Sequence, residues 1–373
     1  VSNEIIDIKS ENNGNIWFLK NQSLFQYKNE LANQVFSAHS FKTLIKNNPK
    51  WKKKIASSKI NFDLVYNDLN NFQLYKMQIV NDDIFISSDH GIFKYNITNS
   101  ELEHRFVTGK IFYVNKENEL YMHHPYSYLS KHKDIFDDDL IYTYKNKDNG
   151  IPRDITNITP FNDALWYSSN SMGLFKQLDS SFVFYKNIIN ESNINHLIST
   201  DSLIYFSTQS GKVYAVSEVG DSLNVHFTLF PDKDITGNYV YFLSFINGKL
   251  FIGTNKGLNI YENKQISFID NEEGYFENEV LSSHIINDKI YLGTNNGLCL
   301  INSSLRSLKN DNNIQLTSLR TIDSLYEIKN YNNKELVLNY NRNYFTINYD
   351  FPNLINASKD KFSLDFNIQN SDG

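Results

Sequence analysis

Along most of this chain, apolar and polar positions alternate in short runs punctuated by turn residues. One pattern recurs: a turn pair such as Asn-Gly, Asp-Asp or Gly-Lys, an apolar–aromatic run, a short polar loop often holding Gly, and a second apolar run. The copies read GNIWFLKNQSLFQYKN from Gly14, DDIFISSDHGIFKYN from Asp82 and GKIFYVNKENELYMH from Gly109. They continue with DALWYSSNSMGLFKQ from Asp163, DSLIYFSTQSGKVYAV from Asp201, GKLFIGTNKGLNIYEN from Gly248 and DKIYLGTNNGLCLIN from Asp288. Each copy predicts a tight hairpin whose Asn, Asp and Gly supply the positive φ of the turn. The aligned aromatic positions are Trp17, Phe85, Phe112, Trp166, Tyr205, Phe251 and Tyr291; Trp17 and Tyr291 lie 274 residues apart over six intervals, about 46 each.

A period of 40–50 residues matches one four-stranded blade of a β-propeller, and a closed ring leaves only short, protected sheet edges. The sequence therefore predicts an all-β fold, a propeller of about seven blades. The spacing is uneven: the first interval is 68 residues and the second 27. The first contains FKTLIKNNPKWKKKI from Phe41, which reads as a helical, basic insertion around residues 33–60. The second suggests a degenerate blade, and six or eight blades remain alternatives.

Composition narrows the class. Aromatic residues make up 14 % of the 373 residues, which favours strands. The net charge of −6 argues against a nucleic-acid binder. A single cysteine, Cys299, excludes a disulfide framework and a cysteine-based zinc site. No apolar run approaches the ~20 residues that span a bilayer, and no signal segment opens the chain. The chain starts at Val1, which suggests a piece of something longer.

The copies GNIWFLK, GKLFIGTNKGL and DKIYLGTNNGL resemble the two-component-regulator propeller repeat. Between blades, NGIPRDITNI from Asn149 and EGYFENEVLSSHI from Glu273 look like that family's linkers. The tail from about residue 313, NNKELVLNYNRNYFTINYDFPNLINASKDKFSLDFNI included, is similar to the start of a triple-tyrosine domain, with Tyr340, Tyr344 and Tyr349 in its alternating strands. The resemblance implies a propeller over residues 1–312 and part of an immunoglobulin-like β-sandwich over 313–373. It also implies the periplasmic sensor of a membrane-anchored, often hybrid, histidine kinase of Bacteroidetes-type bacteria, responding to polysaccharide breakdown products. Such sensors often carry two propellers, whereas one is read here. A full sandwich needs about 100 residues, more than follow the last repeat.

Candidate ligand-binding residues are the polar groups of the hairpin loops: His90, Asn118, Asn170, Gln209, Asn255, Lys256, Asn295 and Asn296, with Glu117. The loops are expected on one face near the mouth of the central channel, where amides and charges suit sugar hydroxyls; for any single Asn, turn chemistry is the competing explanation. Trp17 and Trp166 occupy a repeated strand position, so inter-blade packing is the better reading than sugar stacking. Ser87-x-Asp89-x-Gly91 is only a fragment of a sialidase Asp-box. His123-His124 points to opposite strand faces, unlike a metal pair, and Asp137-Asp138-Asp139 lacks the ligand pattern of a calcium loop. Lys50 to Lys54 around Trp51 reads as a solvated face.

No phosphate loop, nucleophile elbow or HExxH motif appears, so no catalytic residue, metal or cofactor is assigned. The expected function is an extracytoplasmic ligand-binding sensor region. The expected partners are an oligosaccharide or other small ligand and a second copy through the C-terminal sandwich, without nucleic acid, and with a membrane only through segments outside these residues. The alternatives are a propeller glycosidase or lyase and a protein-interaction scaffold.

Overall fold

The computed structural model describes residues 4–11, 13–57, 69, 72–107, 111–124, 128–134, 136, 140–145, 151, 154–178, 181–185, 191, 193–220, 222–269, 279–286, 289–302, 315–321, 324–327 and 345–350. The chain forms two compact units, residues 1–303 and 304–373. The first is a seven-bladed β-propeller. Blade 1 comprises β1 (Ile5–Ser10), β2 (Ile16–Lys20), β3 (Ser23–Lys28) and β4 (Leu31–Phe36), followed by helices α1 (Ala38–Asn47) and α2 (Pro49–Ser57). Blade 2 holds β5 (Leu74–Val80), β6 (Asp83–Ser88), β7 (Gly91–Asn96) and β8 (Glu101–Arg105). Blade 3 holds β9 (Ile111–Val114), β10 (Leu120–His124), β11 (Tyr128–His132) and β12 (Leu140–Lys145). Blade 4 holds β13 (Ile155–Phe161), β14 (Ala164–Ser169), β15 (Gly173–Leu178) and β16 (Ser181–Phe184). Blade 5 holds β17 (Ile194–Ser199), β18 (Ile204–Thr208), β19 (Val213–Val219) and β20 (Ser222–Leu229). Blade 6 holds β21 (Val240–Ile246), β22 (Lys249–Thr254), β23 (Gly257–Glu262) and β24 (Gln265–Ile269). In blade 7 three strands are described, β25 (Val280–Ile286), β26 (Lys289–Thr294) and β27 (Gly297–Asn302). Every blade is an antiparallel meander with its first strand innermost; those first strands lie side by side around the axis, β25 returning to β1.

The blades are apolar on both faces because each is sandwiched between two neighbours. Trp17 of blade 1 joins Met77, Ile84 and Ile86 of blade 2 in one core cluster. Phe85 of blade 2 packs with Phe112 and Met122 of blade 3, and Leu129 of blade 3 with Ile155 and Tyr167 of blade 4. Trp166 of blade 4 packs with Leu197 and Phe206 of blade 5; its indole donates to the Phe161 carbonyl at 3.2 Å. Tyr205 of blade 5 packs with Leu243 and Ile252 of blade 6, and Tyr291 of blade 7 packs with Ile5 and Phe18 of blade 1, closing the ring. Trp17 and Trp166 are fully buried, so they are packing residues.

Two details differ from the sequence reading. The aromatic of blade 3 aligned with Trp17 is Tyr121 in β10; Phe112 lies in β9, the innermost strand. The interval from Phe85 to Tyr121 is 36 residues, so blade 3 is not degenerate. Both strands are short, apolar and aromatic, which periodicity alone cannot rank. The helical insertion is also narrower than 33–60: residues 31–36 are the fourth strand of blade 1, and helix starts at Ala38. Ser37 caps it, its hydroxyl accepting from the Ser40 amide at 3.3 Å. Phe41 and Ile45, four apart on one helix face, are buried against blades 1 and 2. Asn48 then caps α2 through the Lys50 and Trp51 amides and ties both helices to the His104 carbonyl of β8.

Side chains stitch the inner strands together, since neighbouring blades share no sheet. Asp7 of β1 accepts from the Met77 amide of β5 at 2.7 Å and from its neighbour Ile8 at 2.9 Å, while Lys9 Nζ lies 3.1 Å away. Gln78 of β5 makes a paired amide contact with Val114 of β9. Thr156 of β13 donates to Ile194 of β17, and Ser282 of β25 donates to Ile5 of β1.

Blade 3 carries a further buried polar network. His124 Nε2 and His132 Nε2 flank Ser130 Oγ at 2.9 and 3.0 Å, and Arg105 of β8 reaches His132 Nδ1 at 3.2 Å. His123 and His124 stand where other blades have Ser87 and Ser88, or Ser168 and Ser169. Burial, abetted for His124 by His132, His123 and Arg105, lowers both imidazoles to about 4.

The second unit shows a three-stranded antiparallel sheet of β28 (Gln315–Thr321), β29 (Leu325–Glu327) and β30 (Phe345–Asp350), ordered β29-β28-β30. Tyr349 lies in β30 opposite Leu316. Tyr340, Tyr344, Asp137-Asp138-Asp139 and the expected boundary at 312/313 lie outside the described residues.

Two outcomes follow for stability. Asp7→Ala leaves two backbone donors unpaired and should cost about 1–3 kcal/mol in urea unfolding, with Asp7→Asn intermediate; an unchanged midpoint would remove Asp7 from ring closure. The second outcome concerns pH. Unfolded histidine titrates near 6.5, above the folded value of about 4 for His123 and His124. The unfolded chain therefore binds more protons between these values, and the stabilisation is full above about pH 6.5 and lost as pH falls towards 4. Urea midpoints at pH 7 and 5 should show this drop, and His124→Gln should shrink it.

Candidate functional site

The turn between second and third strands of blades 2, 6 and 7 is built from one local device. A Ser or Thr at the end of the second strand hydrogen-bonds across the turn: Ser88 Oγ to the Gly91 carbonyl, Thr254 Oγ1 to Gly257 and Thr294 Oγ1 to Gly297, at 2.9 to 3.1 Å. The same oxygens accept from the amides of His90, Lys256 and Asn296. Gly257 is required there: its φ is +143°, and a Cβ would sit 2.4 Å from the Ile269 carbonyl.

These turns and the linkers that enter each blade share one end of the ring, the front face. Seven of the eight expected site residues, His90, Asn170, Gln209, Asn255, Lys256, Asn295 and Asn296, lie in such turns. Asn118 does not: together with Glu117 it lies between β9 and β10, first and second strands, at the opposite end of the blade. It takes a positive φ of 64° there, consistent with turn chemistry.

On the front face the residues divide by what they touch. The residue following the second strand clamps the incoming linker. Backbone amides of Asp89, Asn170, Gln209 and Asn255 donate to the carbonyls of Gln73, Asp154, Asn193 and Tyr239. The side chains repeat the grip: Gln209 Oε1 accepts from Asn193, and Asn255 Oδ1 accepts from the amides of Asn238 and Tyr239 at 3.1 and 3.2 Å. His90 is only 4 % exposed, with Nδ1 2.8 Å from Asp89 and its ring against Phe72. Asn170, Lys256 and Asn296 are exposed, whereas Asn255 and Asn295 are half-buried.

The linker from blade 5 to blade 6 presents the groups that sequence reasoning missed. Phe230 and Tyr239 are 40 % and 44 % exposed. Lys212 and Lys233 flank the Phe230 ring, with ammonium groups 5.8 and 5.7 Å from its centroid. Tyr239 meets Tyr241 edge-on at 5.0 Å, and Tyr241 donates to Glu279 at 2.9 Å. Buried Asn259 holds the linker by a reciprocal amide pair with Thr236, 2.8 and 2.9 Å. Gly211 and Gly237 permit this close fit; a Cβ on either would lie 2.5 Å from Asn238 O or Thr254 Oγ1. The sequence signal for this segment was the run FPDKDITGNY, which breaks the strand pattern between two aromatic residues.

Carboxylates on this face are engaged. Asp154 accepts from Ser171 at 2.7 Å, Asp232 lies 3.6 Å from Lys256, and Asp234 accepts from the Phe230 amide at 2.9 Å. Burial disfavours the Glu191 anion, but hydrogen bonds from Lys212 and Ser210 outweigh it and hold the carboxyl below its usual range. Among the described residues no group of three His, Cys, Asp or Glu side chains is placed to hold a metal. No helix among them is long and apolar enough to cross a membrane.

No protein-family model and no curated protein sequence matches the chain. Solved structures do. The extracellular domain of BT4673 from B. thetaiotaomicron, assigned as a hybrid two-component system, superposes with a TM-score of 0.59 at 18 % identity, over 80 % of this chain and 38 % of that one. The extracellular domain of BT3049 from B. thetaiotaomicron, assigned likewise, gives 0.58 at 15 % identity over 86 % and 41 %. Virginiamycin B lyase from Staphylococcus aureus gives 0.57 at 11 % identity over 80 % and 94 %. The chain thus spans about two fifths of the length of these two extracellular domains, and with the three structures it shares the fold.

Proposed function

We propose that this chain is an extracytoplasmic ligand-binding region of a two-component signalling protein and that its front face, over blades 5 and 6, takes an oligosaccharide. The observation that carries the reading is the pair of exposed rings, Phe230 and Tyr239, on one clamped linker beside Lys256, Lys212 and Lys233. A ring offers a flat apolar platform for a sugar face, and the neighbouring polar groups suit its hydroxyls. The extracellular sensor domains that share the fold support the same reading. They also suit a periplasmic location; pairing of two copies through the C-terminal unit is a further part of the proposal. The lyase that shares the fold supports an enzymatic alternative. Against it, the front-face carboxylates among the described residues that are named above are engaged by Ser171, Lys212, Lys256, the Phe230 amide and Tyr241, which suits a scaffold for binding better than a free acid–base pair.

Titration calorimetry of the full chain against neutral xylo-, manno- and malto-oligosaccharides tests this. Tyr239→Ala and Phe230→Ala should each weaken the active sugar by about tenfold or more. Wild-type affinity in both variants, or no binding by any sugar in the panel, would sink the reading.

Asn259→Ala should act on the same site from below. Losing the reciprocal amide pair should weaken the sugar while leaving Tyr239 in place chemically, and should raise hydrogen exchange at Thr236 and Asn238. Unchanged exchange would show that the linker does not depend on Asn259.

A further inference from the structure

The central channel holds a second set of polar groups that neither the loops nor the linkers explain. Lys76 follows the irregularity at the start of β5 and crosses the channel to Asn157 Oδ1 of blade 4, 3.2 Å from Nζ. Its side chain remains open to solvent yet is ringed by protein, and crowding together with the Lys9 charge lowers its pKa despite Asp7. His196 of blade 5 faces the same space. Burial, then the nearby Lys76 charge, brings it down to about 4, while a hydrogen bond to the Val240 backbone opposes this. His284 of blade 7 lies 2.6 Å from Ser10 Oγ and is lowered to about 4 by burial and by Lys9.

The charges do not balance. Among the described residues the one acid acting on these groups, Asp7, is engaged by Lys9 at 3.1 Å and by two backbone amides. Lys76 makes no ion pair among the described residues, its one hydrogen bond going to the neutral Asn157. Both imidazoles are neutral near pH 7, so two ammonium groups face one carboxylate. In a narrow space with low-dielectric walls, such an excess is felt strongly by an entering anion.

We infer that the channel binds one oxyanion group, a carboxylate or sulfate, between Lys76 Nζ and the His196 ring. The ammonium supplies a charge-assisted hydrogen bond that Asn157 satisfies only in part. Asn157 is itself fixed, its Nδ2 donating to the Asn195 carbonyl at 2.9 Å, so the acceptor end that positions Lys76 is preorganised. The inference does not rest on the sugar platform of blades 5 and 6, because none of these residues lies in that linker.

The test is calorimetry of the full chain at low ionic strength with three probes: sodium glucuronate, inorganic sulfate and glucose. Glucuronate and sulfate should bind and glucose should give no signal that depends on Lys76. Lys76→Met, which keeps the length of the stem, should weaken both anions by about 10- to 100-fold, and Lys76→Arg should restore most of the loss. Equal melting temperatures of the variants, and ¹³C shifts of methylated lysines that move with the anion only when Lys76 is present, separate loss of the site from loss of the fold. Only the Lys76-dependent part of each anion's affinity is read, and sulfate offers no sugar face to the Phe230 and Tyr239 rings, which keeps this result apart from the front-face reading. Glucuronate tighter than sulfate assigns the site to an acidic sugar; equal affinities assign it to the oxyanion alone. Failure of both anions to bind, or wild-type affinity in Lys76→Met, overturns the inference.

Discussion

The structure depends on sheets that are apolar on both faces. A four-stranded blade with Trp166 on one side and Tyr167 on the other buries neither by itself. Each blade must be covered twice, and a ring is the arrangement that covers every blade with copies of the same interface. Tyr291 against Ile5 and Phe18 is therefore the same kind of contact as Trp166 against Leu197 and Phe206, although it joins the ends of the unit. Burial of such rings contributes on the order of 1.5–3 kcal/mol each. Closure makes those contributions mutually dependent.

That geometry leaves the inner strands without backbone partners on the channel side. Polar side chains fill the role instead, blade by blade: Asp7 to blade 2, Gln78 to blade 3, Thr156 to blade 5 and Ser282 back to blade 1. The channel is polar for a structural reason first. Its excess positive charge is a local departure from that pattern, because among the described residues Lys76 and Lys9 share a single acid.

The front face shows how a structural device becomes a platform. Gln209 and Asn255, at the turn after the second strand, hold the incoming linkers, so their side-chain amides are engaged inside the protein. Their work positions others. The linker between blades 5 and 6 is clamped by Asn255 and buried Asn259 and seated by Gly211 and Gly237, and on it Phe230 and Tyr239 stand exposed. Amide side chains and exposed rings have distinct tasks: the first set geometry, the second offer surface.

The repeat itself was legible in the sequence. Strand alternation, the turn residues and the aromatic spacing led to an all-β propeller of about seven blades and to the inter-blade role of Trp17 and Trp166, because period and turn chemistry are local properties. The loops carrying seven of the eight candidate residues were placed on one face for the same reason. Asn118 went astray because β9 and β10 look alike locally; only pairing decides which strand is innermost. His90 lies in a turn that reads as exposed from sequence, but its ring is buried against Phe72. The sequence by itself determined the strands, their turns and the number of times they recur. The tertiary structure decided which polar groups are consumed in holding linkers, which rings reach solvent, and that Lys9, Lys76, His196 and His284, up to 275 residues apart in the chain, share one channel. Those are matters of distance across the ring, and no local pattern encodes them.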